Sequence, residues 1–163
     1  MSPNGVRWLR ASLILQILLA AYFEAILWFP LGRWNDQPGK RLIQAVSEGQ
    51  ATAAIMWSIV FMLPLILYAV ALSRRWAWLM WLGVCGYGTW CALELQSWWA
   101  PWIFGADARA LHNERFLQRT YKIFPVSAKH PAPDAMHFVL DVILFAVVVT
   151  LAIGLAPRRR STS

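Results

Sequence analysis

Residues Trp90 to Trp102 read WCALELQSWWAPW: an apolar helix carrying Glu94 and Gln96 runs out into Trp98, Trp99 and Trp102, with Pro101 among them. Tryptophan gathers where hydrocarbon meets lipid headgroups, because its ring is apolar while its indole N–H needs a partner. A helix ending in such a cluster ends at a membrane boundary, and Glu94 then lies about one turn inside it. The rest of the chain is read outward from that carboxylate.

Composition agrees with the stretch. The 163 residues are 59% hydrophobic and 14% charged, with eleven tryptophans and a mean hydropathy of +0.47, too apolar for an ordinary soluble domain. The net charge of +7 does not point to nucleic acid, since the basic residues fall at the ends of apolar runs and form no basic face on a soluble module. Cys85 and Cys91, six apart in one apolar run, lie roughly 240° apart around a helix and cannot pair there. With no C-x-x-C they supply neither a redox dithiol nor metal ligands, and both read as small packing residues.

Four apolar runs predict an all-α integral membrane protein, a single four-helix transmembrane bundle with spans at about 9–29, 48–72, 76–97 and 137–156. The first run follows Arg7 and Arg10 and ends in Trp28-Phe29-Pro30. Its length and the absence of a small-x-small cleavage site favour a retained helix over a signal peptide. On it Ser12, Gln16, Ala20 and Glu24 recur every four residues, so its polar groups share one face, expected to point into the bundle. Ser47 and Gln50 predict a capping box for the second helix, whose Pro64 predicts a kink. Ser73-Arg74-Arg75 is so short a connection that the second and third helices must be antiparallel neighbours. Gly83, Gly86, Gly88 and Ala92 on the third helix predict close helix packing. The segment of about 98–135 is expected to lie at the interface, with a short helix from Asp107 to about Tyr121 between the third and fourth spans. Asp134 is expected to cap the last helix.

Arg7 and Arg10, Arg74 and Arg75, and Arg158 to Arg160 occupy three short segments without acids. Four spans put these on one side, which predicts cytoplasmic N- and C-termini, in a bacterial inner membrane. Glu24, Glu48, Glu94, Gln96, His137 and Asp141 then all fall in the outer third of the bundle. Ionised carboxylates are costly at that depth. With only His137 as a cation in the spans, some acids must be protonated, or meet a bound cation or water, or a loop side chain such as Arg109, Arg115 or Lys129. Two functions fit. The first is a pocket for a small hydrophobic or lipid-like molecule, with Glu94, Asp141 and His137 as acid/base groups and Glu24, Glu48, Gln96, Tyr87, Trp98, Trp99 and Trp102 as ligand-binding walls. The second is an accessory or scaffolding subunit of a larger membrane complex, or a homo-oligomer, whose polar layer is interhelical hydrogen-bond glue. No metal centre is expected, since no E-x-x-H pair accompanies the acids, and no cofactor follows from the residues. His112 and His130 read as surface histidines of the outer loop.

In layout, four spans with buried acids, a histidine and tryptophans, the chain resembles the EXPERA-type membrane proteins, which include sterol isomerases. The resemblance is architectural, with no shared contiguous motif. It implies a lipid-sized cavity lined by those residues.

Overall fold

A computed structural model of the chain describes residues 3–29, 31–35, 48–106, 119–127 and 129–156. Every regular element among them is helical. They are α1 (Pro3–Trp28), a 3-10 turn (Gly32–Trp34), α2 (Glu48–Arg74), α3 (Ala77–Glu94), a π turn (Leu95–Trp99), α4 (Ala100–Phe104) and α5 (Ala135–Leu155). The one strand-like contact among these residues is an isolated bridge between Lys122 and Asp134. Two helices, Asn4–Trp28 and Ala135–Leu155, are long and apolar enough to cross a membrane, with mean hydropathies of 1.8 and 2.8; Ser58–Arg74 is a shorter apolar helix.

The four long helices pack in a ring, α1 on α5 most extensively, then α5 on α3, α2 on α1 and α3 on α2. Side-chain bonds show the neighbours to be antiparallel. At one end, called here the Asp134 end, the Tyr22 hydroxyl of α1 donates to the Met136 carbonyl of α5 (3.0 Å). At the other, the Arg75 end, the Tyr68 hydroxyl of α2 donates to the Leu9 carbonyl of α1 (3.0 Å). Leu9, Tyr68, Met80, Leu144, Val147 and Leu151 anchor the buried core along the axis. The exterior is apolar too. Ile17 on α1, Ile59 on α2, Leu82 on α3 and Phe145 on α5 are each at least half exposed.

Helix ends follow from local chemistry. α2 closes in a Schellman motif: Trp76 N–H donates to the Ala71 carbonyl (2.9 Å) and Arg75 N–H to the Leu72 carbonyl (3.3 Å), with Arg75 in the left-handed region at φ 56°. This is the tight hairpin that the short connection predicts. Pro64 lies inside α2, which continues through it. α3 does not stop near residue 97. It widens into the π turn, where Ala100 N–H reaches the Leu95 carbonyl, and continues as α4 until Gly105 turns the chain at φ 98°. Pro101 gives the reason. Its ring would strike the carbonyl four residues back, and a wider turn just before it removes that conflict.

Close packing is found somewhere other than the small-residue stripe of α3. A Cβ on Gly86 or Gly88 would meet nothing within 4 Å, whereas one on Gly154 would fall 2.7 Å from Leu9 Cδ2 and 3.2 Å from Leu9 N. The tight approach belongs to the α1–α5 seam. At the Asp134 end, buried Asn35 ties off α1. Its amide donates to the Ile26 (3.0 Å) and Phe29 (2.8 Å) carbonyls, and its Oδ1 accepts from Leu31 N–H (2.9 Å). The loops meet above it, Tyr121 N–H donating to Arg33 O (2.9 Å) and Ala135 N–H to Tyr121 O (2.7 Å). The expected capping box at Ser47 and nearly all of the expected interfacial helix from Asp107 lie outside the described residues. The described end of that helix, Arg119 and Thr120, is a turn and a bend.

Candidate functional site

The polar face of α1 points inward. Ser12 and Gln16 are buried, and Gln16 Nε2 donates to Ser12 Oγ (3.2 Å). From α3 the Tyr87 hydroxyl donates to Gln16 Oε1 (3.1 Å). Tyr87 thus belongs to a mid-bundle network that ties α1 to α3, below the acid layer.

The acids themselves fall into two groups. Glu24 sits on the α1–α2 seam, where its Oε2 accepts from Trp28 Nε1 (2.7 Å) and Ser58 Oγ (2.9 Å). Glu94 and Asp141 lie on the α3–α5 side. Glu94 Oε1 accepts from Trp90 Nε1 (2.9 Å), and Asp141 Oδ2 from Trp99 Nε1 (2.6 Å). Asp141 and Glu94 lie close enough to repel each other electrostatically, with Cys91 within reach of both. One pattern recurs in all three. Each carboxylate takes an indole N–H on one oxygen, while the other, Glu24 Oε1, Glu94 Oε2 or Asp141 Oδ1, is buried with no hydrogen-bond partner. Half-satisfied buried carboxylates are uncommon, because each lone oxygen has left water for nothing.

His137 bonds to Asp134, although it shares a helix face with Asp141. Its Nδ1 and its backbone N–H both meet Asp134 Oδ1, at 2.7 and 2.9 Å, and its ring packs on Trp98 at a centroid distance of 4.1 Å. Burial of Asp134 pushes its carboxyl up, but the bonds and charge of His137, with the Thr120 hydroxyl, outweigh that and hold it below the ordinary 3.8. An ionised Asp134 can only accept, so Nδ1 carries the hydrogen and Nε2 of a neutral ring keeps its lone pair.

An aromatic cluster covers Asp141. Trp99 packs on Phe124 (5.6 Å), Phe138 (6.1 Å) and Trp102 (6.0 Å), and Trp102 Nε1 donates to the Pro125 carbonyl (3.3 Å). His130 is part-buried, its Nδ1 2.9 Å from the Trp102 carbonyl, and is therefore more than a surface histidine. Gln96 is exposed on the π turn and Lys129 is exposed beyond it. Among the described loop residues, Lys122 turns inward, donating to Ala132 O (3.1 Å). The side chain of Glu48, and Arg109, His112 and Arg115, lie outside the described residues.

Of the expected residues, then, Glu94, Asp141, His137, Trp98, Trp99 and Trp102 come together, while Glu24 and Tyr87 serve other seams. Asp134, Trp90, Phe124 and Phe138 join the site unforeseen. Trp90 was legible, because it stands four residues from Glu94 on one helix face. Among the described residues no three His, Cys, Asp or Glu side chains are grouped as metal ligands. Compared with protein-family models, curated proteins and solved structures, the chain matches none.

Proposed function

We propose that the chain is a four-span protein of a bacterial inner membrane, both termini cytoplasmic, that holds a small amphipathic molecule against Glu94, Asp141 and His137 at the Asp134 end. The observation that carries this reading is the pair of buried oxygens, Glu94 Oε2 and Asp141 Oδ1, each without a partner beside an aromatic wall. An unmet buried acceptor costs about 1 to 3 kcal/mol, and although Glu24 Oε1 and Asp134 Oδ2 are unmet as well, only Glu94 and Asp141 bring two such oxygens to one side of the bundle. An amphiphile supplies the missing donor from its head and lays its tail along the aromatic rings. The apolar exterior of all four long helices supports four spans in place of two. His137 Nε2, oriented by Asp134, is the group available for acid/base chemistry on such a ligand.

An accessory-subunit reading draws on Glu24, whose bonds to Trp28 and Ser58 join α1 to α2 as glue does. Gentle purification followed by mass spectrometry of bound lipids and proteins separates the two. The ligand reading expects a stoichiometric small molecule in the wild type that is depleted in Asp141→Asn and Glu94→Gln. A stoichiometric protein partner with no small molecule would overturn it.

A further inference from the structure

We infer that the ligand is cationic, an amphiphile whose head is a protonated primary or secondary amine seated between Glu94 and Asp141. The inference rests on the ligand-pocket reading and names the chemistry of the head. Asp141 is nine-tenths buried, and its Oδ1 has no partner although its Oδ2 is bonded. Glu94 presents a second such oxygen and stands within electrostatic reach of it. Two acceptors that repel one another ask for a single group carrying both positive charge and at least two N–H donors. An ammonium is that group; a hydroxyl supplies one donor and no charge.

Among the described residues the surroundings carry no competing cation. On α3 the site meets Cys91 and Trp90, and on α5 and its cap it meets His137 and Asp134. The imidazole Nδ1 of His137 is already committed to Asp134. No ion pair from a described lysine or arginine reaches either carboxylate, and both of their bonded oxygens take neutral indole N–H groups. A metal ion fits less well, because no third ligand of the His, Cys, Asp or Glu type is grouped with the two acids among the described residues. The walls suit an alkylammonium. Trp99, held by its bond to Asp141, packs with Phe124 and Phe138, and aromatic rings attract cations at their faces while accepting an alkyl tail beside them.

The test uses full-length protein in an uncharged maltoside detergent at pH 7, read by quenching of tryptophan fluorescence and by thermal shift. Two probes of equal tail length are titrated below their own micelle concentrations, n-decylammonium and n-decanol. The expected result is saturable binding of decylammonium at least tenfold tighter than decanol, weakened tenfold or more in Asp141→Asn and in Glu94→Gln. The two-probe comparison on the wild type decides the matter even if a variant fails to fold. Saturable binding of decanol as tight as decylammonium would overturn the inference and leave the ligand pocket standing. If neither probe saturates and no small molecule is carried through purification, both fall together.

Discussion

One oxygen of Asp134 accepts two hydrogens from His137, one from the backbone and one from the ring. It therefore caps α5 and sets the imidazole tautomer together. Removing the cap in Asp134→Ala is expected to cost about 0.5 to 2 kcal/mol. Asp134→Asn keeps a capping oxygen and loses only the charge, which isolates the electrostatic part. Because the folded carboxyl sits below its ordinary 3.8, its ionised form stabilises the fold fully above that value. The contribution fades as pH falls from there through the folded value. Melting temperatures of wild type and Asp134→Asn should thus differ at pH 6 and converge below about pH 3.8; a gap constant down to pH 3 would show that the charge does not contribute. The cap itself was legible, since Asp before an apolar helix is the preferred N-cap pattern. Its second partner was not, because an i+3 histidine reaches back to the cap only in one rotamer. Asn35 was likewise readable as a turn residue, yet its bonds to Ile26 and Phe29 exist only once the chain has doubled back on α1.

At the scale of helices, the α1–α5 seam carries the tightest packing, and Gly154 is the residue that permits it. Gly154→Ala would place a methyl 2.7 and 2.8 Å from Leu9 Cδ2 and Cγ and 3.2 Å from its backbone nitrogen. Leu9 is fully buried and has little room to give. Overpacking of this kind is expected to cost about 1 to 3 kcal/mol, whereas Gly86→Ala and Gly88→Ala, facing open space, should be neutral or slightly stabilising through helix propensity. Thermal melts of the three variants check the ranking, and equal melting temperatures would refute it. In Leu9→Ala/Gly154→Ala the two losses should not add, since the first makes room for the second. The Schellman turn offers a prediction of opposite sign. Arg75 is the one non-glycine residue with positive φ among those described, so Arg75→Gly should raise stability by about 1 kcal/mol, and a lower melting temperature would count against the strain. Helix existence was readable from apolar length throughout, and the hairpin from three residues. The run-on of α3 through Pro101 was not, because a proline reads as a stop unless the preceding turn can widen. The small-residue stripe on α3 misled for a related reason: pattern names a face able to pack closely, while the partner that arrives is decided by the whole ring.

The ring order α1, α2, α3, α5 brings distant segments to one end of the molecule, where Arg33, Tyr121 and Ala135 join in a chain of backbone bonds. No local pattern predicts such a junction, so the roof of the site could be expected only as an interfacial segment. That Glu24 bonds on the α1–α2 seam while Glu94 and Asp141 lie on the α3–α5 side has the same origin, since position along a helix is legible from sequence and position around the ring is not. The proposed orientation rests on the basic residues. Arg74 and Arg75 mark the hairpin end, and Arg75 stands at a position where glycine would fit the backbone better. Two single-cysteine reporters test this orientation in a Cys85→Ala/Cys91→Ala background: Ser73→Cys beside the hairpin and Ser127→Cys on the roof, both exposed. With a membrane-impermeant maleimide, Ser127→Cys should label in intact spheroplasts and Ser73→Cys only after permeabilisation. The reverse pattern would invert the protein and move the acid layer to the cytoplasmic leaflet. Labelling of both from outside would remove α3, the long helix between the two reporters, as a span and, with it, the bundle that buries Glu94 and Asp141.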